Sequence, residues 1–165
     1  MKLKRVARHL LMTHWQVNRV FSRKALVAIE VGITASEAAH AGEIRFVIEG
    51  ALDSTALLKG QSARERAIEV FSQLRIWDTE GNNGVLIYLL LADRDVEIVA
   101  DRGIHAIVGT MAWENICRQM EAAFRAADYQ VGVLAGIEAV TLHLTKHCPA
   151  TGMRRNELPD RAMLL

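Results

Sequence analysis

Cysteine is scarce in this chain of 165 residues, which contains only Cys117 and Cys148. Two cysteines without a CxxC spacing provide neither a disulfide framework nor a structural zinc site. The sequence therefore favours a protein of the reducing cytoplasm.

Long hydrophobic runs are missing as well. The longest candidates are interrupted by Tyr88 and Asp93, or by Glu138 and His143. They fall short of the roughly 18 apolar residues that a membrane span requires. We therefore expect no transmembrane segment.

Acidic residues are absent from the first 29 positions, whereas the same stretch carries seven lysines and arginines. Within a basic segment over residues 1–21, the pattern predicts one amphipathic helix from about Val6 to Phe21. Such a segment favours docking on an anionic membrane surface or a membrane protein through residues 1–24, peripherally at the inner membrane. No groove-reading motif or aromatic platform accompanies the basic residues, so nucleic-acid binding is not predicted.

The chain does contain enough apolar residues for one ordinary domain, since 51% of its residues are hydrophobic and 24% are charged. We predict this domain over residues 22–148. The tail over residues 149–165 lacks periodicity and is expected to be irregular. Longer helices are predicted at four places: after Ser22, after Ser62, over about 110–127 and over about 130–147.

Three strands are predicted between these helices. The segment EIRFVIEG alternates apolar and polar residues from Glu43 onward, and VLIYLLLA is apolar on both faces, as in a central strand covered by helices. Only Asp93, Arg94 and Asp95 separate VLIYLLLA from VEIVA, so these two strands pair antiparallel. The predicted fold class is α/β, a three-layer α/β/α sandwich whose small mixed sheet combines a parallel βαβ unit with an antiparallel hairpin strand.

Polar residues collect at both edges of this predicted sheet. The edge where the parallel strands begin collects His40, Glu43, Asn82, Asn83, Asp101, Arg102 and His105. The opposite edge, where α/β sheets usually bind ligands, collects Glu49, Asp53, Asp93, Arg94 and Asp95. Carboxylates from separate loops suit a hard divalent cation, and arginine suits a phosphate. Turn chemistry and surface ion pairs would also explain the same residues without any site.

The hairpin with its flanking loops, NNGVLIYLLLADRDVEIVADRGIH, resembles the TPM domain family. The matching features are Asn83-Gly84 before an aliphatic strand, Asp93-Arg94 at the hairpin and Gly103 after the third strand, with Glu43 leading the first strand. The resemblance covers about residues 25–147 and implies an α/β/α sandwich. For some members it also implies binding of calcium or other divalent ions, and acid phosphatase activity.

Two functional hypotheses follow. The first is a ligand- or divalent-metal-binding module linked to the maintenance of a membrane or its proteins. Its ligand-binding candidates are Glu43, Asn82 and Asn83, and its candidates for holding calcium or magnesium are Asp53, Asp93, Asp95 and Asp101. The alternative is a divalent-metal-dependent phosphatase acting on phosphomonoesters, in which Arg94 and Arg102 bind the phosphate and His105 protonates the leaving group.

Overall fold

The computed structural model describes residues 3–150, 152 and 156–165. In this part of the chain the helices are α1 (Leu3–Leu11), α2 (His14–Val20), α3 (Arg23–Glu37), α4 (Ser54–Leu58), α5 (Ala63–Gln73), α6 (Arg102–Val108), α7 (Thr110–Arg125) and α8 (Tyr129–His147). The strands are β1 (Glu43–Glu49), β2 (Gly84–Leu90), β3 (Asp95–Ala100) and β4 (Met163–Leu164).

The sheet is mixed and has the strand order β3-β2-β1-β4. Strand β1 runs parallel to β2, with Glu43 opposite Gly84. Strand β3 runs antiparallel to β2, with Ala100 opposite Val85. The predicted βαβ unit and the predicted hairpin are therefore both confirmed.

Helices cover both faces of the sheet, which confirms the predicted α/β/α sandwich. Alternate residues of β2 belong to two separate cores: Ile87 packs with residues of α3, α7 and α8, and Tyr88 packs with residues of α4 and α5. Every residue of β2 is consequently buried. Each large apolar side chain buried in this way stabilises the fold by roughly 1.5–3 kcal/mol.

Capping residues set where several helices begin. The Ser62 hydroxyl accepts a hydrogen bond from the Glu65 amide, and the Glu65 side chain accepts one from the Ser62 amide, as the spacing predicted. Thr13 and Gln16 form a second capping box of this kind at the start of α2. The prediction of one continuous helix from about Val6 to Phe21 is therefore wrong, because the cap at Thr13 divides this segment into α1 and α2.

The C-terminal segment ends in the two-residue strand β4, which the sequence did not predict. Met163 pairs with Val47 of β1 in parallel register. The Arg45 guanidinium donates to the carbonyl oxygens of Pro159 and Arg161 at 2.5 and 2.6 Å. These bonds hold the segment along β1, whose main-chain groups would otherwise form an open sheet edge.

Within residues 3–150 and 156–165, none of the helices combines the length and apolarity that crossing a bilayer requires.

Candidate functional site

The turn between β2 and β3 is covered by α1. Asp93 Oδ2 lies 2.8 Å from Arg5 Nε, and Asp93 Oδ1 lies 3.1 Å from Arg8 Nη2. His9 Nε2 is also 3.1 Å from Asp93 Oδ2, but outside hydrogen-bond geometry. The Leu52 amide donates to His9 Nδ1 at 3.1 Å, which places the proton of the neutral ring on Nε2, facing Asp93. The predicted metal ligand Asp93 is thus already neutralised by groups of this chain.

A buried polar network occupies the same edge of the sheet. Glu49 Oε2 accepts hydrogen bonds from the Tyr88 hydroxyl and from Arg66 Nε, both at 2.8 Å. Burial, followed by the adjacent Glu49 carboxylate, raises the pKa of Tyr88 well above its ordinary value. The hydroxyl therefore stays protonated and the network links β1, β2 and α5 rigidly.

The other two predicted metal ligands of this edge have different surroundings. Asp53 is the N-cap of α4, where its Oδ1 accepts from the amides of Thr55 and Ala56 at 2.8 and 3.0 Å. Those two amides lower the pKa of Asp53. Asp95 is half-buried beside Glu97 and Glu121, and burial together with these carboxylates raises its pKa to about 6. Asp53 and Asp95 therefore have different neighbours and share no contact among the described residues.

At the opposite edge of the sheet, β1 and β2 begin and β3 ends, as the strand directions required. The predicted residues of this edge lie there. Buried Glu43 accepts a hydrogen bond from the Leu158 amide at 3.1 Å. Asn83 Nδ2 donates to the Ala41 carbonyl at 3.0 Å, and the Asn82 carbonyl accepts from the Ile104 amide at 3.3 Å. The predicted ligand-binding residues Glu43, Asn82 and Asn83 therefore join loops of this chain to one another.

His40 and Asp101 have structural contacts at the same edge. His40 Nε2 lies 2.9 Å from Ser36 Oγ, and its Nδ1 lies 3.1 Å from the Gly42 carbonyl oxygen. Asp101 is the N-cap of α6 and accepts from the Arg102 amide at 2.6 Å. Its buried Oδ2, like Oδ1 of Asn83, has no donor among the described residues.

The arrangement does not fit a metal centre built from the predicted residues. Asp53 and Asp93 lie at one edge of the sheet and Asp101 lies at the other. In residues 3–150, 152 and 156–165, no three His, Cys, Asp or Glu side chains converge in a way that could hold a metal ion. The predicted phosphatase residues are divided too, because Arg94 lies in the hairpin turn whereas Arg102 and His105 lie on α6.

Arg94 instead lines a groove that the sequence did not predict. This arginine groove has a volume of about 580 Å³ and lies where α1, α2 and the hairpin turn meet. Its guanidinium groups come from Arg8, Arg19 and Arg94, and its apolar wall includes Leu11 and Trp15. None of the described residues that line it is acidic.

The rim of the arginine groove exposes apolar side chains. Leu11 and Trp15 line it and are 71% and 66% exposed. The Arg19 guanidinium lies over the Trp15 ring, 5.3 Å from its centroid, which keeps a cation at the apolar rim. The spacing of Arg8, Leu11, Trp15 and Arg19 was a sequence signal for a mixed basic and apolar surface, whereas the contribution of Arg94 depends on the tertiary fold.

The fold and the groove together define the class of protein: a mixed-sheet α/β/α domain with a basic, apolar surface beside its hairpin turn. A sequence profile of the TPM domain matches residues 17–142. The chain belongs to the TPM domain family, which confirms the resemblance. Among curated proteins, no sequence matches this chain.

Three solved structures illustrate the likeness of this fold to known domains. The BA42 protein of the psychrophilic bacterium Bizionia argentinensis, solved by NMR, has 27% identity and a TM-score of 0.77, with 87% of this chain and 94% of that chain covered. An N-terminal domain from P. gingivalis has 20% identity and a TM-score of 0.63, covering 80% and 83% of the two chains. The N-terminal domain of the cg2496 protein from Corynebacterium glutamicum has 13% identity and a TM-score of 0.56, covering 83% and 82%.

Proposed function

We propose that this TPM domain is a peripheral docking module that binds an anionic membrane surface through the arginine groove. The observation that carries the proposal is the combination of Arg8, Arg19 and Arg94 with exposed Leu11 and Trp15 on one surface. Docking there would place the domain where it could serve the maintenance of the membrane or its proteins.

The chemistry of the groove matches an anionic phospholipid in two respects. Guanidinium groups present paired donors that suit a phosphate. Leucine and tryptophan suit the boundary between headgroups and acyl chains, where an amphipathic helix inserts its apolar side. No acidic residue precedes Glu30, so α1 and α2 add no carboxylate to the groove, and the Asp93 carboxylate of the adjacent turn is paired with Arg5 and Arg8.

The expected binding energy suits reversible association. Each cation close to an anionic surface contributes about 1 kcal/mol. Apolar area removed from water adds about 25 cal/mol per Å². Part of this favourable free energy offsets the entropy lost on docking. The domain therefore binds the membrane reversibly and is not permanently anchored.

Vesicle sedimentation of the full chain tests the proposal. Vesicles of phosphatidylcholine are compared with vesicles that also contain phosphatidylglycerol, at low and high salt. The first variant combines Arg19→Gln with Arg94→Gln and loses two cations of the groove. The second variant, Trp15→Ser, loses the tryptophan of the apolar rim. Lys146→Gln and Leu142→Ser are the matched controls, because both residues are exposed on α8, towards the end far from the groove residue Tyr129.

We expect salt-sensitive binding to the anionic vesicles only. The double arginine variant should lower the partition coefficient about tenfold to thirtyfold, and Trp15→Ser should lower it as well. The control variants should bind like the wild type. Equal binding to both kinds of vesicle, or an unchanged partition coefficient in the double arginine variant, would refute docking through the groove.

A further inference from the structure

The arginine groove offers an anion two guanidinium groups that no carboxylate of the described residues has already paired. Arg8 contacts Asp93, with Nη2 lying 3.1 Å from Oδ1. Among the described residues, Arg19 and Arg94 form no such ion pair, although both line the groove. A headgroup with one negative charge would balance only one of these two cations. The groove therefore suits a ligand that brings two negative charges.

The other polar side chains of the groove present hydrogen-bond donors as well. Gln16 Oε1 accepts from the Thr13 amide at 2.8 Å, so the side-chain NH₂ group of Gln16 is the part left for a ligand. Tyr129 also lines the groove, and its hydroxyl has no hydrogen-bond partner in the described part of the chain. The oxygens of a phosphate are strong acceptors. A lining of donors thus matches phosphate groups.

Arg94 has a backbone conformation that few residues adopt readily. Its φ angle is 55°, in the left-handed region that favours glycine and asparagine. The turn itself does not require arginine, because the Arg94 amide donates to the Leu91 carbonyl at 3.1 Å, a bond that most residues could make. The guanidinium group is what arginine adds at this position, which indicates a role in binding.

The two unpaired guanidinium groups are held by different elements. Arg19 of α2 stacks over the Trp15 ring, 5.3 Å from its centroid, at the apolar rim. Arg94 comes from the turn between β2 and β3. The groove that both residues line has a volume of about 580 Å³, enough for a ligand larger than one phosphate. Two phosphates on a short bridge could place one at each guanidinium.

We propose that the arginine groove selects a lipid whose headgroup carries two phosphodiester groups on one glycerol bridge. This inference rests on the proposed membrane docking and names the lipid class that the groove recognises. Arg19 and Arg94 each bind one phosphate, and the Gln16 amide and the Tyr129 hydroxyl donate to the remaining phosphate oxygens. Trp15 contacts the acyl chains of the same lipid. A lipid with a single phosphodiester leaves one guanidinium without a counter-ion.

Vesicle sedimentation of the full chain tests the inference, with diphosphatidylglycerol as the probe. The reference vesicles contain phosphatidylglycerol at the same total lipid charge, so a difference in binding reports the pairing of two phosphates on one lipid. Arg94→Asn removes one guanidinium and keeps a residue that suits the left-handed backbone, and Arg19→Gln removes the other. Lys24→Gln is the matched control, because Lys24 is an exposed cation of α3 that does not line the groove.

We expect the chain to bind the diphosphatidylglycerol vesicles about tenfold more tightly than the reference vesicles, because the second phosphate is tethered beside the first. Arg94→Asn and Arg19→Gln should each remove this preference and keep weaker, salt-sensitive binding to both kinds of vesicle. Lys24→Gln should weaken binding to both equally and keep the preference. Arg94→Asn should be at least as stable as the wild type in urea unfolding, which separates a lost lipid contact from a damaged fold.

Equal binding of the wild type to both kinds of vesicle would overturn the assignment of the headgroup and leave membrane docking intact, whereas no binding to either would refute both. A preference that survives in both arginine variants, or that disappears in Lys24→Gln, would also overturn it. Inorganic phosphate is added in a further arm at constant ionic strength. Complete displacement of the chain from the vesicles in this arm would mean that the groove takes free phosphate instead of a lipid.

Discussion

Arg5 of α1 lies 2.8 Å, from Nε to Oδ2, from Asp93 in the turn between β2 and β3. The same guanidinium donates from Nη2 to the Gln61 carbonyl at 2.8 Å. One side chain thus joins the first helix to the hairpin turn and to the loop before α5. This contact closes α1 over the edge of the sheet and places Arg8 and Leu11 at the arginine groove.

Replacing Asp93 should loosen α1 without unfolding the domain. Asp93→Asn removes the charge that Arg5 and Arg8 contact, and we expect the free energy of unfolding to fall by about 1–2 kcal/mol. Amide hydrogen exchange should accelerate mainly in α1. Asp78→Asn is the control, because Asp78 and Arg75 form an exposed pair, of a kind worth less than about 1 kcal/mol. Unchanged exchange in α1 would contradict the assigned contact.

Asp95 should make stability depend on pH. Its pKa is raised from 3.8 to about 6 in the folded protein, so the native state binds the proton more tightly than the unfolded chain. The stabilising contribution is complete below pH 3.8 and is lost as the pH rises through about 6. Asp95→Asn should therefore be more stable than the wild type at neutral pH, by about 1 kcal/mol after solvent screening.

Urea unfolding from acid to neutral pH measures this effect, with Glu138→Gln as the exposed control. The advantage of Asp95→Asn should shrink as the pH falls. An advantage that grows on acidification would mean that the Asp95 carboxylate has a stabilising partner in the native state.

Gly84 should not tolerate a side chain. A Cβ atom there would lie 2.1 Å from the Ile76 carbonyl oxygen, a main-chain atom that cannot rotate away. Gly84→Ala should therefore lower the free energy of unfolding by about 3 kcal/mol or more. At Gly32 the nearest atom is the flexible Leu134 Cδ2 at 3.0 Å, and Gly32→Ala should be neutral or stabilising because alanine favours helix. Urea unfolding of both variants compares the two positions directly.

Tyr88→Phe should weaken the buried network without opening a cavity. The change removes the hydrogen bond to Glu49, which keeps its contact with Arg66. We expect a loss of about 1–2 kcal/mol in the free energy of unfolding. Tyr129→Phe is the control, because the Tyr129 hydroxyl has no hydrogen-bond partner in the described part of the chain, and its effect should stay within about 0.5 kcal/mol. Equal losses in both variants would argue against a specific role for the Tyr88 hydroxyl.

Local sequence patterns predicted those helices and strands that depend on neighbouring residues of the chain. The apolar alternation from Glu43 and the continuous apolar run from Val85 correspond to β1 and β2, and Ser62 caps α5 as its spacing from Glu65 indicated. Strand β4 was missed because its two residues gain their strand conformation only by pairing with β1. Helix α6 was missed because Asp101, interpreted as a ligand residue, is instead its cap.

The sequence by itself determined strands β1 to β3, the hairpin, the family and the basic character of the first helices, because these depend on periodicity, capping and charge along a short stretch. Only the tertiary structure decided which partners the polar residues have. Asp93 faces arginines of α1, Arg94 joins Arg8 and Arg19, and Asp95 faces Glu121 of α7. Electrostatic and hydrogen-bond partners are set by distance in space, and for these residues most of the partners are far away along the chain.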